Sequence, residues 1–317
     1  MKILLEFILS LCIFIYGIQL LSNGLANSLL KKIKIYLQKY TKKTYQGIIL
    51  GTFVTALVQS SGIVTVLIVS LVNANLITFH NSLGLMMGAN LGTCLTSWLT
   101  SLLTTNNYLF FLNPYNYIPF IILTGLICYL KKKINTSNIL LGFSFFMLGL
   151  KMMQNSLNPV LEYSWFQEFI KNLNNPFLSI LIGIIVTSLV QSSSATVAIL
   201  QTITKSGTIT YLNSIPLIMG ENIGSCLTTL IGSFKTNKNA KMVAISHLLY
   251  NILGTLIFLS LYLIAYYLNL NFLTKKVNSY QIALIHTLFN FLSILVFYPL
   301  LNILEKLTKK IVNLKNN

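Results

Sequence analysis

Residues 54–62 read VTALVQSSG, and residues 186–194 read VTSLVQSSS. Each stretch sets Gln-Ser-Ser inside an apolar run, and the two lie 132 positions apart. A single helix from Gln46 to Asn73 would be about 42 Å long at 1.5 Å per residue, more than an upright crossing of a bilayer core of about 30 Å requires. The polar triplet falls near its middle. Two half-length helices meeting at Gln59, Ser60 and Ser61 fit that length better, and the same argument gives a second helical hairpin with its tip at Gln191 to Ser194. Irregular backbone at membrane depth persists only where protein or a water-filled cavity satisfies its N–H and C=O groups, so both tips are expected to face inward.

The composition supports a membrane setting for the rest of the chain. Of 317 residues, 55% are hydrophobic and 9% charged, and Thr44 to Leu130 contains no Asp, Glu, Lys or Arg over 87 residues. No soluble core needs so long an uncharged stretch. Residues 7 to 30 lack a small-residue cleavage site and are too long for a signal-peptide core, so they read as a retained span. The net charge of +17 comes from 22 Lys and no Arg against five Glu and no Asp. Such a balance suits a nucleic-acid partner in a soluble protein, but here the lysines cluster between apolar segments, where they orient spans. Cys12, Cys94, Cys128 and Cys226 lie inside apolar segments without CxxC spacing, and His80, His247 and His286 are scattered. Neither a disulfide framework nor a metal cluster is indicated, and no Ser-His-acid spacing or P-loop suggests an enzyme.

The chain repeats itself. At an offset of 132, residues 51–61 match 183–193 at 8 of 11 positions, and MGANLGTCLT at 87–96 matches MGENIGSCLT at 219–228 at 7 of 10. Gly17, Asn23 and Leu25 pair with Gly149, Asn155 and Leu157 at the same offset. The expected fold is an all-α polytopic membrane protein with two inverted repeats, each holding a re-entrant helical hairpin and a discontinuous helix. Its organisation is residues 1–133 (hairpin about 46–74), 134–268 (hairpin about 176–204), and an additional span with a short basic tail over 269–317. With both Gln-Ser-Ser segments as hairpins, about seven apolar segments cross, the last over 280–304. An outside N-terminus and cytoplasmic C-terminus then place 16 lysines inside and 6 outside. Three crossings per repeat invert the second copy, so the tips meet near the midplane, where inverted-repeat transporters bind substrate.

The polar residues of the two copies are the candidate site. Gln59, Ser60 and Ser61, with Gln191, Ser192, Ser193 and Ser194, offer amide and hydroxyl oxygens to Na⁺ and donors to an anion, and each tip opens a helix N-terminus. Thr55 and Thr187 stand one turn before the tips. Na⁺ ligands are expected among Gln59, Ser60, Gln191, Ser192 and Thr187. The glycine motifs add Asn90 and Thr93 in one copy and Asn222 and Ser225 in the other, with glycines that imply either broken helices or close backbone approach. Glu221 is the only carboxylate deep in an apolar segment, and its counterpart is Ala89. An intramembrane acid is a candidate for cation coordination, for a proton carrier or for a structural cap. AISHLLYN at 244–251 and ALIHTLFN at 283–290 each place a His and an Asn four residues apart on one helix face, a pattern that suits helix packing first.

These motifs, VTALVQSS and VTSLVQSSS, MGANLGT and MGENIGS, and the Ala-x-x-His-x-x-aromatic-Asn helices, resemble the sodium/phosphate cotransporter family, the type II sodium-dependent phosphate transporters and their bacterial relatives. The resemblance runs from the first span to about Phe297. It implies a symporter of inorganic phosphate, with Na⁺ as coupling ion and no other cofactor, acting by alternating access in the cell's plasma membrane. It also implies that the paired Gln-Ser-Ser motifs hold phosphate and Na⁺. Position 62 is Gly where the family has a third Ser. Many bacterial relatives carry a PhoU-like domain after the membrane part; here the sequence stops about a dozen residues beyond the last span, so regulation through such a domain in cis is not expected, and a separate PhoU-like protein and a homo-oligomer are the two candidate partners. The competing expectations are export of phosphate or another oxyanion by the same fold, and a non-transporting phosphate-sensing subunit.

Overall fold

The computed structural model describes residues 2–39, 41, 43–104 and 113–314; Lys42 and Lys315 of the lysine clusters lie outside them. The described residues form α1 (Lys2–Lys39), α2 (Thr44–Val58), α3 (Ser61–Asn73), α4 (Phe79–Thr104), α5 (Ile118–Leu130), α6 (Ile134–Leu157) and α7 (Ser164–Asn172). They continue with α8 (Pro176–Val190), α9 (Ser193–Ile203), α10 (Tyr211–Gly232), α11 (Lys238–Tyr267), α12 (Ser279–Phe297) and α13 (Leu301–Leu314). Large apolar side chains such as Phe53, Phe120, Leu123, Leu181 and Leu256 cover the outside. That surface suits lipid, not water. The described residues build an all-helical, multi-pass membrane protein.

Among the described residues, five helices can cross a bilayer by length and composition, and six if α7 and α8, bent by 108°, count as one span. Seven crossings were expected from the apolar segments. The difference lies in α4, which is 26 residues long but rich in Gly, Ser, Thr and Asn, and in α5, which is only 13 residues. The last apolar segment also ends earlier than its hydropathy indicates: α12 stops at Phe297, just before Tyr298-Pro299, and a separate helix, α13, follows. Proline removes an N–H and clashes with the preceding turn, so it ends the run.

The repeat is visible in the helix boundaries. α1, α2, α3 and α4 begin at residues 2, 44, 61 and 79, and α6, α8, α9 and α10 begin 132 residues after each. α1 and α6 cross with Gly17 on Phe146, Gly24 on Ile139, Gly142 on Leu21 and Gly149 on Phe14. Numbers rise along one helix as they fall along the other, so the equivalent first helices run antiparallel.

Within each copy a glycine face sets the register. Gly84 abuts Thr44, Gly88 abuts Ile48, Gly92 abuts Thr52, and Thr96 hydrogen-bonds Gln59, so α2 and α4 run parallel at a constant offset. Gly183 on Leu217, Gly220 on Ile180 and Gly224 on Ile184 repeat the arrangement between α8 and α10. α3 leaves from the level of Thr96 and must hand over to α4 at the level of Thr44. It therefore runs back along the direction α2 came from, and α9 does the same in the second copy. The two Gln-Ser-Ser segments are thus pairs of short helices that meet at Gln59-Ser60 and at Gln191-Ser192.

The expectation of a discontinuous helix at the Gly-x-Asn-x-Gly motifs is corrected. α4 and α10 pass through them unbroken, and the glycines serve close backbone approach instead. In the Gln-Ser-Ser segments the break falls instead between α2 and α3 and between α8 and α9.

Candidate functional site

Each tip is built by two residues. Gln59 (φ 59°, ψ 22°) and Gln191 (φ 53°, ψ 26°) end α2 and α8 in the left-handed region, and their N–H groups bond Thr55 O and Thr187 O. A side chain with a Cβ pays about 1–2 kcal/mol to sit there, and such strain gathers at functional turns. Ser60 and Ser192 then turn extended (φ −150° and −146°) and cap α3 and α9, their Oγ atoms accepting from Ile63 N and Ala195 N, both at 3.3 Å. The cap uses only the oxygen's lone pair. Each hydroxyl hydrogen is left to donate elsewhere.

Both tips line one cavity of about 210 Å³, formed by Gln59 to Ile63 from one copy and Gln191 to Ser194 from the other, with Ser225 and Thr228 of α10 and Gln19 and Ser22 of α1. A water claims about 30 Å³ in the liquid, so the space holds several waters or a small hydrated ion. No lining side chain is charged. The N-termini of α3 and α9 open on it, bringing unpaired N–H groups and the positive ends of two helix dipoles to one uncharged, hydroxyl-rich space. The two tips hold their glutamines differently. Gln59 is buried, held by a bond from Thr96 Oγ1 at 3.0 Å and by its own amide to Ala56 O, whereas Gln191 is exposed.

The sequence-derived candidates divide into two groups. Gln59, Ser60, Ser61, Gln191, Ser192, Ser193, Ser194 and Ser225 line the cavity; Thr55, Thr187, Asn90, Thr93, Glu221 and Asn222 do not. Thr55 is wholly buried against Gly92 without a hydrogen-bond partner at its hydroxyl, while Thr187 donates to Thr196 Oγ1 at 3.1 Å. Position 64 is Val where the second copy has Thr196, which explains the unmatched hydroxyl. Thr93 bonds the carbonyl of Ala89, one turn back. Gln19, Ser22 and Thr228 escaped the sequence reading. Gln19 and Ser22 stand three apart on one face of an apolar span, and Thr228 is the repeat counterpart of Thr96, so both signals were there to find.

Behind the cavity, the two His-Asn helices pack on the two glycine-motif helices in a matched pattern. His247 Nδ1 meets Thr229 Oγ1 at 3.1 Å and His286 Nδ1 meets Ser97 Oγ at 2.7 Å, and residues 97 and 229 are repeat counterparts. Cys226 bonds His247 O and Cys94 bonds His286 O, both at 3.6 Å, while Asn251 and Asn290 each donate to the facing sulfur. The His-Asn pattern is therefore a packing device shared by both copies. Gln201 of α9, wholly buried, ties the copies together by donating to Ser97 O and Ser279 O and accepting from Thr100. Among the described residues no group of three or more His, Cys, Asp or Glu could hold a metal.

The profile of the Na⁺/Pi-cotransporter family matches this chain twice, over residues 13–155 and 145–274. The chain belongs to the Na⁺/Pi-cotransporter family. Among its relatives, the uncharacterized protein YqeW of Bacillus subtilis is 25% identical over 80% of this chain and 81% of its own length. The putative inorganic phosphate export protein YjbB of Escherichia coli is 26% identical over 82% of this chain, which spans about half (47%) of that protein. Human sodium-dependent phosphate transport protein 2B is 31% identical over 42% of this chain and 20% of its own length. No solved structure matches.

Proposed function

We propose that this family member carries inorganic phosphate together with Na⁺ through the cavity between the two Gln-Ser-Ser tips, by alternating access. The observation that carries this reading is the shared cavity, in which motifs from both copies, two helix N-termini and no charged side chain come together. The hydroxyls of Ser60, Ser61 and Ser192 to Ser194 and the free N–H groups of α3 and α9 supply donors for an anion. An uncharged wall cannot neutralise phosphate, which is at least singly negative at neutral pH. A cation bound beside it can, since opposite unit charges about 4 Å apart attract by about 4 kcal/mol at an effective dielectric of 20. Oxygens of Gln59, Ser60, Gln191 and Ser192 are the ligands assigned to Na⁺; Thr187, expected among them, stands outside the cavity wall with its hydroxyl on Thr196. That requirement for charge compensation is the physical basis of coupling.

We assign residues 1–133 and 134–268 to two oppositely oriented repeats, with 269–317 appended and the N-terminus outside. The antiparallel crossing of α1 and α6 supports the inversion. Movement of one copy against the other would expose the tips to each side in turn. The same site serves efflux when the gradients reverse, and the printed name of YjbB, matched over 82% of this chain, makes export the second reading.

In liposomes holding purified protein, an inward Na⁺ gradient should drive radiolabelled phosphate uptake that a K⁺ gradient does not, and loading the inside instead should give Na⁺-driven efflux. Folded protein whose fluxes match those of empty liposomes in both directions would end this reading.

Gly62 gives a finer test. A Cβ there would lie 3.2 Å from Thr228 Cγ2, a contact relieved by a shift of a few tenths of an ångström. Gly62→Ser is expected to fold and to add a hydroxyl to the cavity, tightening phosphate by about 1–2 kcal/mol, roughly 5- to 30-fold in apparent affinity. An unchanged concentration dependence of uptake would place Gly62 outside the anion's reach.

A further inference from the structure

The two matched His-Asn networks diverge at one acidic residue, and that divergence leaves buried atoms unpaired. In the first, His247 Nε2 donates to Asn90 Oδ1 at 2.8 Å and Asn90 Nδ2 donates to Asn251 Oδ1 at 3.0 Å, so both amide oxygens are satisfied. In the second, Glu221 replaces the counterpart of Ala89, and its neighbour Asn222 turns its amide to Ile218 O at 2.8 Å and Glu221 Oε2 at 3.3 Å. The amide that would reach Asn290 Oδ1 is thereby diverted. His286 Nε2 faces Glu221 Oε2 at 3.6 Å. No bond of good geometry reaches Glu221 Oε1 or Asn290 Oδ1, on residues that are 2% and 0% exposed, and the nearest hydroxyl to the carboxyl is that of Ser193 on α9. A buried acceptor without a donor costs about 1–3 kcal/mol, and more for a charged group.

The surroundings give the carboxyl no counter-charge. The chain has no Arg, and α3, α4, α8, α9, α10 and α12 contain no Lys. The ionisable groups facing Glu221 are His286 on α12, Cys94 on α4 and Cys226 on α10 itself, while α3, α8 and α9 bring none. His247 on α11 is committed to Asn90. On its other side Glu221 borders a cavity of about 180 Å³ whose remaining wall is apolar apart from Thr196. Two free oxygens are too few to replace the water shell of a Na⁺ ion. One hydrogen on the carboxyl supplies the missing donor and removes the charge in a single step.

We propose that Glu221 is a proton-binding site, its carboxyl holding a hydrogen on Oε1 and donating it to Asn290 Oδ1. Ser225 and Thr228 lie four and seven residues further along α10, on the same face, and line the tip cavity. Proton binding at Glu221 is thus linked to the position of the helix that walls the transport site. That link rests on the phosphate-transport reading; the proton site does not.

The test is infrared spectroscopy of the full chain in membranes, compared with Glu221→Gln, whose amide supplies the same donor without a proton. The difference spectrum at neutral pH should show the carbonyl stretch of a protonated acid, shifted in D₂O and lost in the variant. Asn290→Leu should move that band to higher frequency by removing its acceptor. A difference spectrum holding only carboxylate bands overturns the proposal, as does a band that responds to added Na⁺ instead of to pH. These readouts need no transport, so they stand or fall apart from the phosphate assignment. In liposomes, wild-type uptake should fall at alkaline pH as the proton leaves, a decline that Glu221→Gln loses; identical pH profiles would break the link to transport.

Discussion

Replacing Ser60 and Ser192 together by alanine is expected to abolish phosphate uptake while leaving most of the protein folded. Each serine caps a helix through its oxygen, with Ile63 N and Ala195 N as the donors, and each borders the cavity with its hydrogen free. Losing a Ser cap costs typically about 1 kcal/mol. Hydrogen bonds to a charged group are worth about 1.5–3 kcal/mol, so losing two from a bound anion weakens it by roughly a hundredfold or more. Two further substitutions separate the roles. Glycine caps a helix nearly as well as serine but brings no hydroxyl, so Ser60→Gly with Ser192→Gly should keep the fold and lose uptake. Aspartate caps well yet puts a negative charge where the anion belongs, so Ser192→Asp should fold normally and repel phosphate. Uptake at wild-type level in the double alanine variant, with normal insertion, would remove the tips from the transport site. Ser193→Ala, next to the second cap and facing the same cavity, should show the same direction with a smaller loss.

The duplication made much of this site legible before any coordinates. One offset aligned the tips, and the length of the apolar runs required a break at Gln59 and at Gln191, which is where the left-handed residues fall. The walls contributed by other helices were harder to read. Gln19, Ser22 and Thr228 carry a spacing and a repeat equivalence that mark them as polar wall residues, but which cavity they reach is set by packing between α1, α10 and the tips. The glycine motifs were ambiguous for a physical reason: a helix break and a tight helix crossing both call for a residue without a Cβ, and only the neighbour tells them apart. Glu221 and Asn222 stood out by type, but Glu221 lies a turn short of Ser225 on α10, against Gly183 of α8 and His286 of α12, and how far along that helix the cavity reaches depends on those neighbours.

Gly88→Ala and Gly220→Ala are expected to be the most damaging single methyl additions in the chain. A Cβ on Gly88 would lie 2.1 Å from Ile48 O and 2.8 Å from Thr52 N, and one on Gly220 would lie 2.0 Å from Ile180 O. These neighbours are backbone atoms within helices, so no rotamer change relieves the clash. The helices must separate, and Gly51 on Leu85 and Gly183 on Leu217 lose their contacts with them. Overpacking a core costs typically about 1–3 kcal/mol when side chains can yield, so a clash that backbone must absorb belongs at or above the top of that range. The yield of monodisperse protein in detergent and its unfolding temperature should both drop for either variant. Gly254→Ala is the internal control, since a Cβ there meets Ser293 Oγ at 3.4 Å and Phe297 at 3.7 Å, ordinary contact distances inside another buried helix. If Gly88→Ala proves as well tolerated as Gly254→Ala, the α2–α4 crossing is not what sets the tip. In that case the hydrogen bond from Thr96 to Gln59, which only a close crossing can hold at 3.0 Å, would need another explanation.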